Sequence, residues 1–142
     1  MSDFRALSEK VLASPQISVG DIAAAKSQGV TLVINNRPEG EAPDQPSGSE
    51  IELAAKEQGL AYLAVPVDHS GFSETQVSAM AEAIERAEGK VLAFCRSGTR
   101  STFLWALASA SGGADPARIV EAAAAAGYDL VKVYDALSPA VY

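Results

Sequence analysis

Between Ser18 and Phe94 the chain runs three times through one order: a capping serine, a helical stretch, a glycine, then a short and continuously apolar run. Ser18 with Asp21 opens the first helix, and Ile17 and Ile22 are placed to staple across that cap. Gly29 ends it, and Val30 to Ile34 follows as a buried strand. Ser49 with Glu52 opens the second helix, which stops near Gly59 ahead of the apolar run Leu60 to Val65. Ser73 with Gln76 opens the third, with Phe72 and Val77 as its staple and Val77, Met80, Ala81, Ile84 and Ala87 as its buried stripe. Gly89 closes that helix before Lys90 to Phe94. Strands that are apolar at every position have both faces covered, and strands joined through helices are parallel. The pattern predicts an α/β fold with a small, mostly parallel sheet flanked by helices.

On either side of this core the signals change. Leu7 to Ile17 supplies one or two short edge strands. The C-terminal third reads as wholly helical: Ser101 to Ser111 ends at Gly112-Gly113, and Asp115-Pro116 caps a helix over Arg118 to Ala126. Asp129 to Leu137 reads as a last short helix, and the alanines of 122–126 permit close helix packing. The 142 residues fit one domain, 1–142. One long loop, Asn36 to Gly48, holds three prolines and two glycines and leaves the carboxyl end of a strand. Open parallel sheets bind ligands at that edge.

The residues at the third strand's end carry the chemistry. Cys95-Arg96-Ser97-Gly98-Thr99-Arg100-Ser101 joins the strand to a helix and holds the sole cysteine. Backbone N–H groups of such a loop and the helix N-terminus favour negative charge. A thiol placed there is stabilised as its thiolate and becomes a nucleophile. Gly98 permits a positive φ in the turn. Arg100 is placed to grip two oxygens of an oxyanion, and Ser101 to donate its hydroxyl to the thiolate. Arg96 points outward, where it meets substrate. The plain alternative for Cys95 is a small buried hydrophobe, but a core cysteine does not require Arg-Ser-Gly-Thr-Arg after it. Arg37 reads as a solvated arginine paired with Glu39 or Glu41, and Trp105 as core.

Charge and composition narrow the partners. A net charge of −7 argues against binding nucleic acid or anionic membrane, so an anionic ligand must be drawn in by local donors. One cysteine excludes an internal disulfide and a Cys-rich metal site, and a single histidine, His69, argues against a protein-only zinc site. The N-terminus has no apolar signal core, and no run of about 18 apolar residues occurs. These features predict a cytoplasmic protein with no metal and no cofactor, and leave its oligomeric state open.

The segment Cys95 to Ser101 resembles the signature loop shared by protein tyrosine phosphatases and rhodanese-type sulfurtransferases. The phosphatase pattern has five residues between Cys and Arg, usually with His before Cys; this chain has four, Arg96 to Thr99, and Phe94. Four is similar to the rhodanese loop, but the helical tail is similar to the phosphatase fold. Over most of its length the chain resembles the phosphatase-like family found alone or fused to β-lactamase-like hydrolases, whose members are also described as sulfur transferases. Ile34-Asn35-Asn36-Arg37-Pro38, the Pro66 region and Phe94 to Ser101 carry that resemblance.

The resemblance implies a protein-tyrosine-phosphatase-like fold and a cysteine-dependent, phosphatase-like hydrolase with a Cys-x4-Arg loop. Cys95 is then the nucleophile, Arg100 the oxyanion binder, and Arg96, Ser97, Gly98, Thr99 and Ser101 the rest of the anion loop. It also implies that Asp68, 27 residues before Cys95, is the general acid; a turn-capping aspartate is the alternative, and His69 is a second candidate. The substrate is small and anionic: a phosphate ester, or a sulfane-sulfur donor if the chain is a sulfurtransferase working through a Cys95 persulfide. A non-catalytic anion-binding module is the third reading. One residue fewer in the loop shrinks the ring of N–H donors, at about 1–3 kcal/mol for each phosphate contact left unpaired, and costs a single sulfur atom little.

Overall fold

The computed structural model, which describes residues 2–68 and 72–130, contains ten elements among them. In chain order these are β1 (Arg5–Ala6), β2 (Val11–Ser14), α1 (Val19–Ser27), β3 (Val30–Asn35) and α2 (Gly48–Glu57). They continue with β4 (Ala61–Ala64), α3 (Glu74–Arg86), β5 (Lys90–Phe94), α4 (Thr99–Ser111) and α5 (Pro116–Ala125). The sheet order is β1-β2-β5-β3-β4. β2, β5, β3 and β4 pair in parallel, and only β1 runs antiparallel, against β2. The expected edge strands thus split: β1 is the edge, while β2 lies inside the sheet beside β5.

Both faces of β2, β3 and β5 are covered, as continuously apolar strands require, but β4 is an edge strand with Ala61 and Ala64 exposed. Leu92 and Phe94 of β5 pack with Ile22, Ala25, Ile51 and Ala55 of α1 and α2. Val91 and Ala93 point the other way, into Met80, Leu104, Trp105 and Ile119 of α3, α4 and α5. The period-two alternation of side chains along a strand divides the two cores. Trp105 is buried there, as expected. No helix among the described residues is long and apolar enough to cross a membrane.

Helix starts follow the capping serines with one correction. Ser73 accepts the Gln76 N–H and the Gln76 side chain returns to the Ser73 N–H, which makes a complete capping box. The second helix is capped by Ser47, not Ser49: Ser47 accepts the Glu50 N–H, and Glu39 reaches back to the Gly48 N–H at 2.9 Å. α5 begins at Pro116 behind Asp115, whose carboxylate accepts the Ala117 N–H. Asp129 and Leu130 are not helical, and 131–137 of the expected last helix lie outside the described residues, as does His69.

The parallel arrangement decides where chemistry can occur. β2, β3, β4 and β5 end on one edge, so the segments after Ser14, Asn35, Ala64 and Phe94 converge there. β5, which carries the cysteine, is central, with α1 and α2 on one face and α3 and α4 on the other. That is the switch point at which open α/β sheets hold ligands.

Candidate active site

Cys95 sits at the carboxyl end of β5 and is fully buried, at 0% exposure. Its Sγ accepts the Gly98 N–H at 3.1 Å. Gly98 makes that bond from the left-handed region, at φ +93°, and is the last residue before α4. Thr102 closes the turn by donating its N–H and its hydroxyl to the Gly98 carbonyl, at 3.0 and 2.8 Å. The Ser97 and Thr99 hydroxyls bond each other at 2.9 Å, and Ser97 Oγ also accepts the Thr99 N–H. Arg96 is exposed, as expected, and its carbonyl accepts the Gln16 N–H at 3.2 Å.

Ser101 departs from expectation. It lies in the first turn of α4, as its third residue, and is fully buried. Its hydroxyl donates to Asn36 Oδ1 at 2.7 Å and not to the sulfur. Asn36 Nδ2 in turn donates to the Val65 carbonyl at 2.9 Å, which fixes the amide's orientation. The Asn36 backbone N–H reaches Phe94 and its carbonyl accepts from Val67. Asn36 therefore ties the ends of β3, β4 and β5 to the first turn of α4.

Arg100 also differs. Its Nη1 and Nη2 grip the two carboxylate oxygens of Glu41, each at 2.8 Å, and Nη1 also donates to the Val67 carbonyl at 2.6 Å. The end of the guanidinium, expected to meet a bound oxyanion, is thus taken by a carboxylate. The guanidinium also interacts with the Cys95 side chain. Glu41 is the main cause of a raised Arg100 pKa, burial opposes it, and the Cys95 charge adds to it. Val67 precedes Asp68, so the backbone carrying the exposed Asp68 passes directly by Arg100.

Arg37 is buried, not solvated: its side chain is 5% exposed. Its Nε donates to Glu41 Oε1 and its Nη1 to Gln16 Oε1, each at 3.0 Å. Pairing with Glu41 was one of the two expected partnerships. A buried guanidinium needs a counter-charge, and one carboxylate here serves two arginines. Gln16 and Tyr128, which touches the loop, carry no local motif that marks them, and the sequence offers Glu41 only as a partner for Arg37. The one sequence signal is Asn35-Asn36-Arg37, polar residues closing a buried strand.

The Arg100 hydrogen bond, with Arg37 adding and burial opposing, holds the Glu41 carboxyl below its ordinary value of 4.5. The resulting stability is fully present above that ordinary value and is lost as pH falls through the depressed one. Glu41→Gln is therefore expected to lower the melting temperature at about pH 6, and the gap from the parent to shrink steadily as pH falls below the ordinary carboxylate range. Melting curves across that range check it.

The comparisons with known proteins agree with this site's fold. A beta-lactamase hydrolase-like protein of Xylella fastidiosa is 37% identical over 125 residues, 87% of this chain. The chain spans only 29% of that relative's length. The crystal structure of a "putative phosphatase" from Neisseria meningitidis Z2491 superposes with a TM-score of 0.85 at 29% identity, covering 97% of this chain and 98% of that one. Tk-PTP in its active form superposes with a TM-score of 0.73 at 18% identity over 95% of this chain and 92% of that one, a likeness of fold alone. The family model for the phosphatase-like domain of beta-lactamase hydrolase-like proteins matches residues 3–112. With its mostly parallel sheet and protein-tyrosine-phosphatase-like fold, the chain belongs to that phosphatase-like family.

Proposed function

We propose that this chain is a cysteine-dependent, phosphatase-like hydrolase acting on a small phosphate ester, with residues 1–142 forming one domain. The observation that carries this reading is the Gly98 N–H aimed at Cys95 Sγ beside the Arg100 guanidinium. Thiolate and ligand anion then share one set of donors.

In this reading Cys95 Sγ attacks phosphorus in line. The S–P bond forms, the P–O bond to the leaving group breaks, and Asp68 gives its proton to the departing oxygen. Water next attacks phosphorus while the Asp68 carboxylate takes its proton. The P–S bond breaks, the thiolate returns and inorganic phosphate leaves. The Nε–Nη2 edge of Arg100 binds two phosphate oxygens, and Glu41 holds the opposite end of the guanidinium. Amides of the loop from Arg96 to Ser101 bind the remaining charge.

A second reading, sulfur transfer, draws support from the four-residue loop, the buried sulfur and the carboxylate on Arg100. Cys95 Sγ then attacks the outer sulfur of a sulfane donor such as thiosulfate and sulfite leaves. A thiol acceptor removes that sulfur from the persulfide and returns the Cys95 thiolate. This route needs no general acid. Asp68→Asn separates the two. In side-by-side assays, phosphate-ester turnover is expected to fall about a hundredfold or more, with thiosulfate turnover unchanged. Unchanged phosphate turnover would remove Asp68 from the mechanism.

A further inference from the structure

We propose that Tyr128 is a positioning residue that latches the Ser97–Gly98 peptide and so aims the Gly98 N–H at Cys95 Sγ. A trans peptide sends its carbonyl and its N–H in opposite directions, and the described residues contain no cis bond. On this one peptide plane the Ser97 carbonyl accepts the Tyr128 hydroxyl at 3.3 Å, while the Gly98 N–H donates to Sγ at 3.1 Å. Holding the carbonyl on one side fixes the amide on the other. The need for a latch follows from glycine: the backbone at φ +93° has no Cβ to resist rotation. Were the peptide to flip, a carbonyl oxygen would replace the N–H beside the sulfur and repel an anion there.

Tyr128 is built to hold that position. A Cβ at Gly98 would run into the Tyr128 hydroxyl, so the tyrosine closes directly over the open face of the glycine. Tyr128 is buried, and its backbone N–H is bound to Ala123 of α5 at 2.8 Å. The Arg5 guanidinium lies 5.3 Å from its ring centroid and donates to the Ala126 carbonyl at 3.3 Å. Burial, with smaller contributions from the Cys95 and Asp3 charges and against the pull of Arg5, holds the phenol above its ordinary 10.0, so it remains a donor. The latch bears on function only through the proposed role of Cys95, on which that part of the inference rests.

The test is Tyr128→Phe in the full chain, which removes the hydroxyl and keeps the ring. Amide hydrogen exchange is read by NMR at Gly98, with Leu92 of β5 as internal reference. A neutral hydrogen bond lost at the latch predicts Gly98 exchange faster by roughly three- to tenfold, with Leu92 unchanged and a shifted Gly98 amide proton. An unchanged Gly98 amide, or Gly98 and Leu92 accelerating together, overturns the latch. Tyr128→Leu is the control, since a role in packing alone makes Phe silent and Leu harmful. A faster Gly98 amide in the Phe variant with unaltered turnover supports the latch and counts against the proposed role of Cys95.

Discussion

Replacing Cys95 with serine is expected to abolish phosphate-ester turnover, by ~10⁴-fold or more, while the fold stays intact. The substitution exchanges one buried acceptor for another: the Gly98 N–H that reaches Sγ at 3.1 Å can donate to a hydroxyl oxygen in its place. What is lost is the sulfur nucleophile, which attacks better than a hydroxyl oxygen. The loop's amides and Arg100 remain, so anion binding should persist where turnover does not. Measuring phosphate binding and turnover on the same variant checks both halves. Turnover near the parent level would remove Cys95 from the mechanism, whereas phosphate binding without turnover in the parent as well as the variant would favour the non-catalytic reading.

The largest stability effect is expected at Asn36. It is fully buried and joins Ser101 of α4 to Val65 after β4 through its side chain. Asn36→Leu keeps the size but leaves a buried hydroxyl and a buried carbonyl without partners. At about 1–3 kcal/mol for each such group the cost is about 2–6 kcal/mol, a large part of the stability of a domain this size. Denaturant midpoints at constant slope measure it. Ser101→Ala should cost less, because it orphans only Asn36 Oδ1. The double variant should cost less than the sum of the two, since the two residues share one bond. A neutral Asn36→Leu would mean that the junction of β3, β4 and α4 does not depend on this amide.

These two residues mark what could be read from sequence and what could not. Cys95 announces itself because its whole environment is local: strand, glycine turn, arginine and helix follow within a few positions. The sheet was legible for a similar reason, since capping serines, terminating glycines and unbroken apolar runs are short-range signals of elements with covered faces. Ser47 shows the limit. Two serines stand at that helix start, and the choice between them is made by Glu39, whose carboxylate reaches the Gly48 N–H from nine residues away. Asn36 bonds Ser101 across 65 residues and Tyr128 bonds Ser97 across 31. No periodicity encodes such pairs. The sequence offers Glu41 to Arg37, four residues away, but only folding brings the same carboxylate to Arg100, 59 residues on.

Glu41 also bears on which chemistry the loop performs. It occupies the end of the Arg100 guanidinium that would otherwise face an oxyanion in the proposed hydrolase reading. The most direct measurement is the intact mass of the Asp68→Asn chain, acid-quenched during incubation with a phosphate ester or, separately, with thiosulfate, followed by mapping of the Cys95 peptide. Uptake of one phosphoryl group on Cys95 from the ester is the predicted result. A chain that takes up a sulfur atom from thiosulfate and never a phosphoryl group from the ester would contradict it.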